Sequence, residues 1–350
     1  MPFDFPNTPS AGQRVTGVGG TVYVWDGVKW ASNVGNVTAQ SMGDMGRNLV
    51  HNGRMWLTQR GQGPFTGSGV YTIDRYWQAF VTGTMSSIST NLTDADRAAL
   101  GDEGAQWGFQ TTIAGQSGAT AYAQHAHNIE WVHTLGGKTV TVSFWAKVNA
   151  GTHKLGVGMA QWFGSGGSAS AEVFLPGQAV TLTTTWTRFV LTFTLPTTSG
   201  KILGTSGDDS TQITFYFSAG ANTATSAGSI GIQSGAFQLW GLQLEIGTVA
   251  TPLERLSLPQ DIVNCLRFYS TGQVVAAGYG IPGAPAGQTV TLLCPMRAVP
   301  TVVLTDQGTS NLSSVNCVAV GSGSQLWVSG SVTATGGWVL NQSYTASADI

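Results

Sequence analysis

Charge is what this chain has least of. Asp, Glu, Lys and Arg make up 9% of its 350 residues, against about a quarter in an ordinary soluble domain. The 15 Lys and Arg and the 17 Asp and Glu nearly cancel, to a net −2. Nowhere do basic residues gather into a patch that would displace counterions from a phosphate backbone, so nucleic acid is not an expected partner. Cysteine is scarcer still. Cys265, Cys294 and Cys317 are odd in number and have no Cys-x-x-Cys spacing, which argues against a disulfide framework or a zinc site and for three small buried apolar side chains. No apolar run reaches spanning length, and the opening MPFDFPNTPS lacks the basic and apolar regions of a secretory leader, so neither membrane insertion nor Sec export is expected.

What the chain does contain is glycine, 48 residues of it, with 42% hydrophobic side chains and 12 tryptophans. That is enough apolar surface to offset the entropy of ordering, and it excludes intrinsic disorder. Apolar positions recur with period two, the signature of strands. In Lys138–Val148, residues Val140, Val142, Phe144, Ala146 and Val148 share one face and Thr139, Thr141, Ser143, Trp145 and Lys147 the other. Phe189, Leu191, Phe193 and Leu195 repeat the pattern up to Pro196, as do Ile213, Phe215 and Phe217. Strands separated by glycine-rich joints predict an all-β sandwich. Only two helices are expected, Thr93–Gly101 with Thr93 as cap and Gly101 as stop, and Leu258–Tyr269 with Pro259 in its first turn.

Three regions follow. Residues 1–40 form a separate unit built on a hairpin, Tyr23-Val24-Trp25-Asp26-Gly27-Val28-Lys29-Trp30, whose Asp-Gly suits a tight primed turn. Residues 41–258 form the central sandwich. Residues 259–350 open with the short helix and continue as a small β domain.

Within the central region an ordered series of runs stands out: Asn48-Leu49-Val50-His51-Asn52-Gly53, Gln59-Arg60-Gly61, Tyr71-Thr72-Ile73-Asp74-Arg75-Tyr76-Trp77 and Ile129-Glu130. It continues through Leu135 to Lys147, Thr185-Trp186-Thr187-Arg188-Phe189, Leu239-Trp240-Gly241-Leu242-Gln243-Leu244-Glu245, Ala250-Thr251-Pro252-Leu253-Glu254-Arg255 and Cys265-Leu266-Arg267-Phe268-Tyr269. In this order they resemble a sandwich domain common in bacteriophage tail-fibre and spike proteins. The start, Pro6-Asn7-Thr8-Pro9 with the hairpin, is similar to the short adaptor of such proteins. The resemblance implies a jelly-roll like that of carbohydrate-binding modules, displayed as a homotrimer on a virus particle. Its implied partners are host polysaccharide or lipopolysaccharide, a head or tail protein of the particle, and further copies of itself. Location at the particle surface also reconciles an adhesin-like composition with the expected lack of export and disulfides. One departure bears on cofactors: related openings often read Asn-Gly-Asp, where the carboxylate contributes to a calcium site, whereas Arg54 and Met55 follow Gly53 here. A guanidinium does not ligate a cation, so a structural calcium would need other oxygens, and no other cofactor is expected.

Candidate site residues are the aromatics out of phase with the inward faces, because a pyranose stacks its apolar face on an indole or phenol ring. These are Trp162, Trp145 and Tyr216, with Trp107, Trp327 and Trp338 in glycine- or serine-rich surroundings. Tyr23, Trp25 and Trp30 are the candidates for attachment to the particle. On a strand, His125 and His127 share a face, but Glu130 takes the other, and the cluster reads as structural rather than metal-binding. Asp208 and Asp209 read as a solvated turn; with Glu245 and Glu254 they are the nearest approach to the carboxylate pair of a glycosidase. No catalytic residue is assigned. The expected function is a non-enzymatic adhesin, with a glycan-depolymerising spike and a purely structural head or tail decoration as alternatives.

Overall fold

The computed structural model describes residues 47–350 and, before them, residues 6, 8–10, 13–16, 22–25 and 30–32. The chain divides into two compact units, Met1–Arg47 and Asn48–Ile350.

In the first unit, β1 (Arg14–Thr16), β2 (Val22–Trp25) and β3 (Trp30–Ser32) form an antiparallel three-stranded sheet. Trp25 pairs with Trp30, and their rings lie 5.6 Å apart. The Asp26-Gly27 turn expected between them lies outside the described residues.

The second unit is nearly all β. Its strands are β4 (Val70–Tyr71), β5 (Trp77–Val81), β6 (Thr84–Asn91), β7 (Trp107–Ala114), β8 (Tyr122–Glu130), β9 (Thr139–Val148), β10 (His153–Trp162), β11 (Val173–Phe174), β12 (Gln178–Leu182), β13 (Thr187–Thr194), β14 (Ser210–Ala219) and β15 (Gly235–Ile246). One sheet runs β11-β10-β14-β8-β5-β4, with β12 also on β10; the other runs β13-β9-β15-β7-β6. Their facing sides supply one continuous core, in which Phe144 meets Phe215 at 5.0 Å and Phe217 meets Phe237 at 5.2 Å between ring centres. The expected inward face of β9 is the buried one.

β15 shows how the core tolerates an imperfect period. Phe237 and Leu239 face inward, and so do Leu242 and Leu244 on the opposite parity. A bulge between Trp240 and Gln243 makes the switch, with Gly241 at φ 68°, a conformation only glycine adopts without strain.

The helix α1 (Asp94–Leu100) has the predicted cap at Thr93 and a left-handed stop at Gly101. It covers the outer face of the second sheet, where Leu92, Leu100, Ala105, Trp186 and Trp240 form a separate apolar cluster. Among the described residues no helix is long and apolar enough to cross a membrane.

After α2 (Leu258–Leu266), which ends three residues short of the expected Tyr269, the tail contains β16 (Tyr269–Gly280), β17 (Pro285–Thr291), β18 (Thr301–Asp306), β19 (Leu312–Val320), β20 (Gln325–Val332) and β21 (Gly336–Ser347). These make two three-stranded sheets, β16-β21-β18 and β17-β20-β19, with their own apolar clusters. Cys265 is buried and Cys294 and Cys317 half-buried, all three as free thiols.

A polar seam ties the tail to the sandwich. Glu130 accepts from Arg267 at 2.7 Å and from Arg297 at 3.3 Å. Asp261 of α2 accepts from the Asn52 amide at 3.1 Å and from Trp56 Nε1 at 2.7 Å. Asp349 pairs with Arg60 and lies 3.8 Å from Arg75, while the Arg75 guanidinium sits 3.4 Å over the Phe268 ring.

Candidate binding cleft

The outer face of the first sheet is where the structure leaves room. Along β8, Ala123, His125, His127 and Ile129 point into the core, so Tyr122, Gln124 and Asn128 point out. Pairing then sets outward residues side by side: Trp162 with Ser210, Gln212 with Asn128, Tyr216 with Gln124, and Trp77 with Ala126. All of these but Ala126 line a cleft of about 930 Å³, together with Tyr122, Phe174 and Ile350.

Its floor is a fixed run of amides. Gln212 donates to Asn128 Oδ1 at 3.0 Å and accepts from Thr214 Oγ1 at 3.0 Å, and Asn128 Nδ2 donates to the main-chain oxygen of Ile350 at 2.7 Å. Aromatic rings stand at either side. Trp162 meets the exposed Phe174 edge-on at 5.7 Å and 83°, and Trp77 and Tyr122 lie across the sheet on β5 and β8. Trp162 Nε1 is buried without a protein acceptor.

One wall is the loop between β14 and β15. It crosses β10 at Gly156 and Gly158, where a Cβ would come within 2.2 Å of the Ala227 carbonyl oxygen and 2.5 Å of that of Ser226. Glycine is needed here for close approach of two backbones. The same loop covers Tyr216, which is 5% exposed and therefore supports the wall more than it offers a stacking face. Burial pushes its hydroxyl above the ordinary value of 10, against hydrogen bonds with Ser226 and Thr214.

Two carboxylates reach the rim, Glu172 and Asp208. Partial burial works against ionisation of Asp208, but the Ser165 hydroxyl at 2.6 Å and amide at 2.7 Å outweigh it and hold the carboxyl below its usual range. Asp209 departs from the solvated turn expected of it. It is 7% exposed and accepts from the Val132 amide at 2.9 Å. Glu245 and Glu254 are likewise engaged with backbone, at Thr251 and Asn48.

Of the six aromatic candidates, the cleft brings together Trp162 and Tyr216. Trp145 packs beside the α1 cluster on the opposite sheet. Trp107 borders a shallow depression with Arg97 and Glu103. Trp327 is exposed on β20 between Thr289 and Val318, and Trp338 lies against Gly278 in the tail. Trp77, Tyr122 and Phe174 were not singled out from sequence. For Tyr122 the signal was available, since it is out of phase with His125 and His127.

Those histidines lie inside the sandwich, His125 between the Ser87 and Thr111 hydroxyls at 3.0 and 2.9 Å. Among the described residues no group of three or more His, Cys, Asp and Glu is placed to hold a metal ion. The Asn52-Gly53 opening is organised by Asn52 itself, which accepts from the Trp56 and Leu57 amides and donates to the Leu57 and Asp74 carbonyls.

Comparison with known proteins gives one family and a group of solved structures. The catalytic domain of a bacteriophage CBA120 tailspike is similar over 57% of this chain at 13% identity and a TM-score of 0.32, and this chain spans 22% of that domain. The family 11 carbohydrate-binding module of Clostridium thermocellum covers 53% of this chain and 96% of its own, at 12% identity and a TM-score of 0.32. The xylan-binding CBM22-1 domain of Paenibacillus barcinonensis Xyn10C covers 58% and 96%, again at 12% and 0.32. No curated protein matches. Residues 117–211, which supply β8, β10, β11 and the Trp162 edge of the cleft, match the family described as a carbohydrate binding domain.

Proposed function

We propose that the chain is a non-enzymatic glycan-binding adhesin of a virus particle, that the cleft on the first sheet is its saccharide site, and that residues 1–40 attach it to a head or tail protein. The observation that carries the site is the cleft's chemistry, aromatic rings on both sides of a floor of oriented amides, which suits the apolar faces and the hydroxyls of a sugar chain. From Trp162 on β10 to Trp77 on β5 is three strand steps, about 14 Å, room for several consecutive sugar rings.

Hydrolysis needs one carboxyl kept protonated near neutrality by an apolar setting. Asp208 is instead held ionised by Ser165, and Glu172 is exposed. Incubation with host polysaccharide accordingly releases no reducing ends; their appearance would make the chain a depolymerase.

An open stacking site of this kind binds with a Kd on the order of millimolar, about −4 kcal/mol. Trp162→Ala and Trp77→Ala each weaken binding about tenfold or more in a glycan array followed by titration calorimetry, since either removes a stacking face. Retention of full affinity in both variants would place the site elsewhere.

Useful adhesion then comes from repetition. The tail is charge-poor, with Arg297 and Asp306 the only charged residues between Phe268 and Ala348, and it exposes Val275, Tyr279, Leu293, Val303 and Trp327. Packing among three copies covers such surfaces and raises avidity by roughly 10² to 10⁴ on a repeating glycan. Removing residues 1–40, with Tyr23, Trp25 and Trp30, leaves a trimeric mass at sedimentation equilibrium and unchanged glycan binding while incorporation into particles is lost. A monomeric mass, or lost binding with normal incorporation, would contradict the arrangement.

A further inference from the structure

We infer that the cleft discriminates by charge: Glu172 and Asp208 restrict the sugar unit stacked on Trp162 to one that carries no negative charge. This rests on the glycan reading of the cleft and adds a substrate class to it.

The two carboxylates bracket the indole from the strands on either side. Trp162 on β10 pairs with Ser210, two residues beyond Asp208, at the start of β14. On the other side Gln161 pairs with Val173 of β11, the residue after Glu172. Each neighbouring strand lies about 4.8 Å away, so a ring seated on Trp162 has a carboxylate within reach on both flanks.

Among the described residues lining the cleft there is no Lys, Arg or His to offset them. Arg297, outside the lining, helps to keep Asp208 ionised, but its N–H groups are committed to the seam, to Glu130 at 3.3 Å and to the Gly207 and Ala348 carbonyls. Arg267 is likewise turned to Glu130. Asp208 stays ionised because the Ser165 amide and hydroxyl donate to it.

A uronate, sialate or phosphorylated unit at Trp162 therefore meets two like charges, a juxtaposition that serves rejection better than binding. A neutral unit meets two acceptors for its hydroxyls. A unit bearing an ammonium group meets two counter-charges and an indole face, which attracts cations.

The test uses the intact protein on a panel of uncharged, amino-bearing and anionic glycans. The tightest uncharged ligand is then compared with the same glycan after oxidation of its primary hydroxyls to carboxylates. Oxidation weakens binding at least tenfold at low ionic strength and less at physiological salt, because screening shortens the reach of exposed charges. Glu172→Gln/Asp208→Asn brings the ratio below about threefold. Glu172→Gln alone, which leaves the Ser165 contacts untouched, moves it in the same direction.

Anionic glycans as the tightest ligands, or a ratio that neither variant moves, would overturn the charge filter while leaving the glycan site standing. Absence of any binding sensitive to Trp162→Ala across the panel would overturn the glycan reading itself.

Discussion

Moving from about pH 7.5 to about pH 5 lowers the unfolding free energy by about 2 kcal/mol through His125 alone. Burial between the two sheets pushes this imidazole down to about 3, while in the unfolded chain it titrates near 6.5. Above that value neither state holds the proton and the residue contributes no pH dependence. As pH falls below it, the unfolded chain takes up a proton that the fold refuses, and stability is lost progressively until the folded value near 3 is reached. His127 is pushed well below its ordinary value by burial, with Arg75 and His51 adding to the effect. The half-buried His51 is brought to about 3 by burial and by Arg75 and Arg267. All three act in the same direction, on a fold whose whole stability is about 5–15 kcal/mol. Urea midpoints recorded across this range should therefore fall steeply with acid. His127→Leu gives an internal control. Neither ring nitrogen of His127 has a protein partner, so its replacement by an apolar side chain should raise stability at neutral pH and flatten the acid limb. A midpoint that does not move between the two pH values would refute the account.

The second large effect belongs to the seam. Arg75 is 2% exposed, donates to the Asn128 carbonyl at 2.5 Å, and faces Asp349 at 3.8 Å, a carboxylate shared with Arg60. Asp349→Ala leaves that guanidinium buried without its counter-charge, which costs about 3–5 kcal/mol. The damage should be local at first. Tyr71 and Asn128 both donate to the main-chain oxygen of the neighbouring Ile350, so glycan affinity falls with stability, and proteases gain access near α2. Arg75→Met in the same chain removes the buried charge and should recover at least half of the loss. A double variant no more stable than Asp349→Ala would show that the ion pair is not what holds the tail.

Local chemistry made much of this fold readable. Thr93 as cap and Gly101 as stop bound the segment between them, so α1 could be placed to the residue. The alternation in β9 assigned its core face correctly. It could not say what covers the other face. Thr141 and Ser143 are as buried as their inward neighbours, and Trp145, outward by parity, is covered by packing beside the α1 cluster. That depends on a contact between segments some fifty residues apart in the chain, which no periodicity records. The cleft was half legible for the same reason. Trp162 and Tyr216 announced themselves by phase within their own strands. Phe174 belongs to a two-residue strand too short to show a phase, and Trp77 gains its place only because β5 lies beside β8. The reversal of parity at Gly241 is the converse case, a glycine visible in the sequence whose consequence appears only when Leu242 and Leu244 are seen in the core.

The seam also sets a rule for how the two halves of the second unit can be inherited. Glu130, Arg60 and Arg75 belong to the sandwich, while Arg267, Arg297 and Asp349 belong to the tail, so each carboxylate meets its arginines only when the halves travel together. A tail exchanged by recombination must bring two arginines and one aspartate at equivalent places, or strand a buried charge on the recipient. The remainder of the tail's surface, nearly devoid of charge, imposes no such condition. Variation among descendants of this chain should therefore concentrate on the outer sheet faces and spare six side chains at the join.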